Sequence, residues 1–280
     1  MRELSVQIIK QTIADLILKA QHFLPDDIKS AIIQAIHDEP NQSAKEILRI
    51  LLENADISEK KVFPLCQDTG MVFVYLEIGQ EIYFTRGLLK DAIYSGVELG
   101  YKEGYLRKSI VADPIKRVNT KNNLPPIIFT DIVAGDRIKI TVVPKGFGAE
   151  NQSGLKMMTP SATKEDIINF IVNGVIASGS KGCPPAIIGV GIGGSFDYSA
   201  NISKRALLLP INECNSDPFY ADMEKEILTR INESDIGPMG VGGKTTALGV
   251  RIITYPTHIA GLPVAYNYCC HSLRHASIEL

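Results

Sequence analysis

Three cysteines stand beside turns that carry glycine, in Pro64-Leu65-Cys66-Gln67-Asp68-Thr69-Gly70, Gly179-Ser180-Lys181-Gly182-Cys183-Pro184-Pro185 and Cys270-His271-Ser272-Leu273-Arg274. Thiolates are soft ligands that suit iron and zinc. Their separations are too long for a compact metal motif, so spacing alone leaves the metal reading open. What the turns offer is a run of backbone N–H groups without side-chain obstruction, a surface suited to an anion or to the sulfides of an inorganic cluster. The five cysteines, at 66, 183, 214, 269 and 270, are odd in number and spread over the chain, which excludes a dense disulfide framework. Cys214 keeps the ordinary role of a small hydrophobe.

Two further glycine clusters resemble nucleotide loops and fail on spacing. A P-loop needs a glycine six residues before its lysine, and the residue six before Lys244 in Gly237-Pro238-Met239-Gly240-Val241-Gly242-Gly243-Lys244-Thr245 is Pro238. Gly189-Val190-Gly191-Ile192-Gly193-Gly194 follows an apolar run but lacks the dinucleotide spacing, and no acidic ribose partner stands out downstream. Close backbone packing is the competing role of such glycines.

The elements that must position these turns read as a mixed α/β chain. Ile9, Ile13, Leu16, Ile17 and Ala20 share a helical face, as do Ile28, Ala31, Ile32, Ala35 and Ile36, and then Ala44, Ile47, Leu48 and Leu51. Ser43 and Glu46 have the spacing of a capping box for the third helix. Residues 1–60 thus form an N-terminal helical layer, with no glycine before Gly70. Beyond it, MVFVYLEIG is a strand, 87–100 a helix, and IIFTDIVAGDRIKITVVP two strands around Ala-Gly-Asp, read as an antiparallel hairpin. KEDIINFIVNGVIASG and 217–233 are helices, and AIIGVGIGG, ALGVRIITYP and GLPVAYNY are strands. No repeat or low-complexity linker divides the chain, so a single 1–280 domain is expected, a mixed sheet region with flanking helices behind the helical layer.

The formal net charge of −2, from 29 Lys+Arg against 31 Asp+Glu, carries no electrostatic footprint for nucleic acid or an anionic membrane. The N-terminal stretch has no signal-peptide core and no run is long enough to span a bilayer, so the cytoplasm is expected.

Taken in order, PLCQDTG, KGFGAEN, GSKGCPPAIIGVGIGGS, GPMGVGGKTTALGV and THIAGLPVAYNYCCHSLRHA resemble the α-type catalytic region of class I fumarases and L(+)-tartrate dehydratases over nearly all 280 residues. That resemblance implies a [4Fe–4S] cluster held by Cys66, Cys183 and Cys270, with one iron open to substrate, and hydro-lyase chemistry on a small dicarboxylate. Either Cys269 or Cys270 could reach a cluster by sequence alone; the family's Cys, three intervening residues and Arg match Cys270 to Arg274. The aromatic that often follows this Cys in the family is replaced by His271.

Further roles follow from the same resemblance. Asp68 is an acid/base or orienting carboxylate, with an Asx-turn as its structural alternative; His258 is a histidine near the substrate; Arg107 pairs with a substrate carboxylate through its planar fork. Gly146 and Gly148 would offer backbone N–H groups to the same dianion, and Lys181, Lys244 and Arg274 positive potential or support for the turns. A separate β-type subunit completing the active site, in an α₂β₂ heterotetramer, is also implied. Fumarate hydration ranks first and L(+)-tartrate dehydration second; a non-catalytic nucleotide- or anion-binding module is the competitor from another class.

Overall fold

A computed structural model describes every residue except Val62. In chain order the elements are β1 (Arg2–Ser5), α1 (Val6–His22), α2 (Asp26–Asp38), α3 (Gln42–Glu59), β2 (Met71–Gly79), β3 (Ile82–Thr85), α4 (Leu89–Glu103), β4 (Ile127–Val133) and β5 (Ile138–Lys145). They continue with α5 (Phe147–Glu150), β6 (Gly154–Met158), α6 (Lys164–Ser178), β7 (Ala186–Gly194), α7 (Phe196–Ala206), α8 (Pro218–Asn232), β8 (Ala247–Thr257), β9 (Leu262–Cys269) and β10 (Ala276–Glu279). The fold is mixed α/β, as the periodicities require.

The chain forms two compact units, Met1–Leu24 with Ala55–Phe147 and Arg274–Leu280, and Pro25–Asn54 with Gly148–Leu273. The first is built on a four-stranded sheet in the order β10-β5-β2-β4. Its core joins Ile9, Ile13 and Ile17 of α1 and Ile93, Val97 and Tyr101 of α4 to Val72, Val74, Ile140 and Val142 of the sheet. The helical face expected for α1 is therefore the buried one. β1, which the periodicity did not announce, pairs in parallel with β3 at the unit's edge.

The hairpin expected for residues 127–144 does not form. β4 pairs in parallel with β2, β5 pairs antiparallel with β2, and β2 lies between them. The apolar run of β2, buried from Val72 to Leu76, is the better central strand, whereas β4 is largely exposed and suits an edge. The N-cap of α3 also differs from expectation: Asn41, not Ser43, caps it, accepting from the backbone N–H groups of Ser43 (2.9 Å) and Ala44 (3.2 Å).

The second unit carries the sheet β6-β9-β7-β8. Its core gathers Ile168, Ile171 and Val175 of α6 and Met223, Ile227 and Ile231 of α8 against Ile188, Val190, Ile252 and Val264. A Cβ on Gly189 would lie 2.1 Å from the Ser203 carbonyl oxygen of α7, and one on Gly191 2.2 Å from that of Ser199. These glycines let α7 lie on the strand backbone, which is the packing role and not a nucleotide role. Among the described residues no helix is long and apolar enough to cross a membrane.

Candidate active site

In the first unit, the turn around Cys66 is held from below. The side-chain amide of buried Gln21 donates to the Thr69 carbonyl at 2.7 Å, and the single Tyr101 hydroxyl hydrogen is shared between the carbonyls of Thr69 (2.6 Å) and Gly70 (3.0 Å). Burial pushes the Tyr101 hydroxyl above its ordinary range, so it remains a donor. The Thr69 hydroxyl donates to the Arg107 carbonyl at 2.6 Å, which ties the turn to the segment bearing Arg107. Arg274, buried at 2 % exposure, donates to the Asp68 carbonyl. It braces the turn from beneath; the motif that carries Arg274 is visible in the sequence, whereas Tyr101 is not identifiable as a brace from motif spacing.

The Asp68 carboxylate is oriented by two backbone donors. Gly70 N–H reaches Oδ1 at 3.0 Å, closing the Asx-turn, and Phe147 N–H reaches Oδ2 at 2.8 Å. A Cβ on Gly146 would stand 3.2 Å from Oδ2, so the missing side chain makes room for this carboxylate. Asp68 and Arg107 line one cleft of about 460 Å³, together with Gln67, Met71, Ile110 and Phe147. This unit therefore brings Cys66, Asp68, Arg107 and Gly146 into one neighbourhood, with the Cys66 thiol half-buried and Arg107 exposed.

In the second unit, the chain turns at Cys183 through left-handed backbone (φ 54°, ψ 64°) after a 3₁₀ turn over Gly179–Gly182, leaving the residue exposed. The His271 ring donates from Nδ1 to the Cys183 carbonyl at 3.2 Å, and Gly182 lies where a Cβ would strike the Tyr268 ring at 2.3 Å. The Cys183 and Cys270 turns are thus held together within this unit. Cys269 is buried in β9, opposite Ile187, while Cys270 follows the strand end and is half-buried. Cys269 as hydrogen-bond partner, aided by His271 and Ser272 against burial, holds the Cys270 thiol well below its ordinary range.

The remaining expected residues of this unit are spread out. Gly148 is open, its nearest neighbour for a Cβ being the Lys181 carbonyl oxygen at 4.0 Å. Glu150 of the same motif pairs with Lys204 of α7 and accepts from Asn267 of β9 at 3.3 Å, fastening the KGFGAEN segment to the sheet. Lys181 and Lys244 are exposed. His258 sits in the exposed turn between β8 and β9, where its Nδ1 accepts from Ala260 N–H at 3.1 Å. β9 separates that turn from Cys270 by roughly 23 Å of strand. Within neither unit, among the described residues, do three His, Cys, Asp or Glu side chains form a group that could hold a single metal ion.

The Gly237–Thr246 loop has its backbone donors occupied by the protein's own carboxylates. Asp235 accepts from Gly243 N–H at 2.8 Å, and Glu39 accepts from the N–H groups of Lys244 (3.1 Å) and Thr245 (2.9 Å). The nest is filled from within the chain and is closed to a phosphate, which removes the nucleotide reading of that loop.

A family model described as fumarate hydratase (Fumerase) matches residues 10–279. The chain belongs to the fumarate hydratase family. It is by class a hydro-lyase. Across 274 residues it is 39% identical to a protein of Methanocaldococcus jannaschii provisionally named L(+)-tartrate dehydratase subunit alpha, covering 96% of both chains. It is also 28% identical over 261 residues to the L(+)-tartrate dehydratase subunit alpha of Escherichia coli strain UTI89, covering 92% of this chain and 86% of that protein. The protein of the same name from Shigella boydii is 27% identical over 259 residues, with 91% and 85% covered.

Proposed function

We propose that this chain is the α subunit of a cytoplasmic iron–sulfur hydro-lyase that interconverts fumarate and malate. The observation that carries the reading is one cleft lined by both Asp68 and Arg107, in a chain of this family. Dehydration of L(+)-tartrate is the second reading, favoured by the names of the relatives. Those names also support a β subunit as partner, and the family resemblance implies an α₂β₂ assembly.

The donor chemistry fits a [4Fe–4S] cluster. Cys66, Cys183 and Cys270 would hold it: two of the thiols are half-buried and one exposed, and Cys270 is biased toward the thiolate a ligand must present. Three protein thiolates leave one iron without a protein ligand, and the cluster when bound supplies a Lewis acid for substrate oxygen. Arg107 binds one substrate carboxylate through its fork and orients the four-carbon chain along the cleft. Asp68, fixed by Gly70 and Phe147, carries a proton at a carboxylate oxygen, giving it in one direction of the reaction and taking it in the other. Gly146 and Gly148 would each offer a backbone N–H to the dianion. His258, in the exposed turn between β8 and β9, is the second proton-transfer candidate beside Asp68.

The deciding experiment is anaerobic reconstitution of the chain with iron and sulfide, followed by addition of the β subunit. About four irons and four sulfides per chain are expected. Fumarate and L(+)-tartrate are then assayed in parallel. Full turnover by this chain alone would reject the shared active site, and absence of iron and sulfide after reconstitution would reject the cluster.

A further inference from the structure

The cleft lined by Asp68 and Arg107 has a second arginine in its lining, Arg117, which no motif singled out. Arg117 does not stand on a loose tip. It lies in left-handed backbone at φ 60°, at the end of a turn built by Asp113: the Asp113 carbonyl accepts from Arg117 N–H at 3.0 Å, and its Oδ1 accepts from Ile115 (2.9 Å) and Lys116 (2.7 Å). The backbone donors of Lys116 and Ile115 hold the Asp113 carboxyl below its ordinary range, so the turn stays closed by an ionised group that is itself occupied. Ala112 N–H donates to Val118 at 2.7 Å, and a bridge between Val111 and Asn119 pairs the two arms of the loop. At the loop's base, buried Asn123 accepts from Ser109 N–H at 2.8 Å and donates to the Gly70 carbonyl at 3.2 Å. The loop bearing Arg117 is thereby joined to the turn bearing Asp68.

Charge then decides what the cleft admits. Its titratable side chains are Asp68, Arg107 and Arg117, two cations against at most one anion. With Arg107 alone, Asp68 would cancel the field, and a dianion would meet a neutral wall; Arg117 makes the wall net positive. Met71, Ile110 and Phe147 supply an apolar floor for a short carbon chain. We infer that Arg117 is a second carboxylate-binding residue and makes this cleft selective for a small dicarboxylate over a monocarboxylate of the same length. The inference rests on the proposed function for the substrate class and extends it to a residue that sets specificity.

The test pairs direct binding with kinetics on the iron–sulfur-loaded full chain with its β subunit. Succinate and butyrate, a dicarboxylate and monocarboxylate that cannot react, are titrated calorimetrically into the wild type, Arg117→Lys and Arg117→Gln. Arg117→Gln should weaken succinate about tenfold or more, the loss of a charge-assisted contact, and leave butyrate nearly unchanged. Arg117→Lys should recover part of the loss, since it restores the charge without the fork. In turnover the KM of Arg117→Gln rises while kcat holds. Because Arg117 is exposed, thermal unfolding and cluster absorbance should match the wild type.

Equal succinate affinity in the wild type and Arg117→Gln, equal loss for succinate and butyrate, or no succinate binding by the wild type each overturn the inference. If the wild type turns over no dicarboxylate, the proposed function fails, and the two titrations still decide the role of Arg117.

Discussion

The carboxylate of Glu39 sits in the loop that ends at Thr245 as a built-in anion. It accepts from the Thr245 backbone N–H at 2.9 Å and from the Thr245 hydroxyl at 2.7 Å, while only 2 % of Glu39 is exposed. A sequence that looks like a phosphate loop is thus a structural clasp between the end of α2 and the approach to β8.

Replacing Glu39 should therefore cost stability and open no nucleotide site. Glu39→Ala leaves the Thr245 hydroxyl and three N–H groups, those of Asn41, Lys244 and Thr245, without their acceptor, a loss of about 2–4 kcal/mol. Chemical denaturation should show the drop, and titration with ATP should show no binding to either protein.

The same contact predicts an acid-side dependence. Burial alone would raise the Glu39 carboxyl, but the hydrogen bonds from Thr245, Lys244 and Asn41 outweigh it and hold it below its ordinary value of 4.5. A carboxyl with a depressed folded value stabilises the fold above the unfolded value and loses that contribution as pH falls through the folded one. The stability gap between wild type and Glu39→Gln should be full at neutral pH and shrink below pH 4.5. A gap that stays constant from neutral to acid pH would contradict the assignment.

For the thiols, Cys66→Ser, Cys183→Ser and Cys270→Ser should each abolish the cluster's broad visible absorbance, whereas Cys214→Ser and Cys269→Ser should retain it. Cys269 is buried in β9 and Cys270 lies just past its end, so only the latter is free to face a ligand. Loss of absorbance in Cys269→Ser with retention in Cys270→Ser would reverse the choice.

Asp68→Asn should lower kcat by about 10²–10⁴, the usual contribution of a positioned acid–base group, with iron and sulfide content unchanged. Arg107→Lys should act mainly on KM, because a point ammonium cannot reproduce the fork. His258→Asn should likewise lower kcat with iron and sulfide content unchanged. Steady-state kinetics on the reconstituted complex measure all three.

At Gly191 the expected effect is on folding. A methyl group there would sit 2.2 Å from the Ser199 carbonyl oxygen, backbone against backbone, so Gly191→Ala should cost about 3 kcal/mol, the upper end of overpacking. An unchanged melting temperature would remove the packing account of this glycine cluster.

Much of the local structure was determined by the sequence itself. The 3.6-residue period of Ile9, Ile13, Leu16 and Ile17 marks α1 and its buried face, and the apolar runs of β2 and β7 mark central strands, because local sterics and burial act over a few neighbouring residues. The cysteine-bearing turns, read together, carry the family resemblance. What only the tertiary structure decided depends on partners distant in the chain. β2, not a shared turn, joins β4 to β5, since strand order follows from which apolar strand must be covered on both faces. Glu39 fills a loop 205 residues away, and Asn123 joins the loop bearing Arg117 to the Asp68 turn. No local period or spacing encodes such pairings; they arise when burial forces polar groups far apart in sequence to satisfy one another.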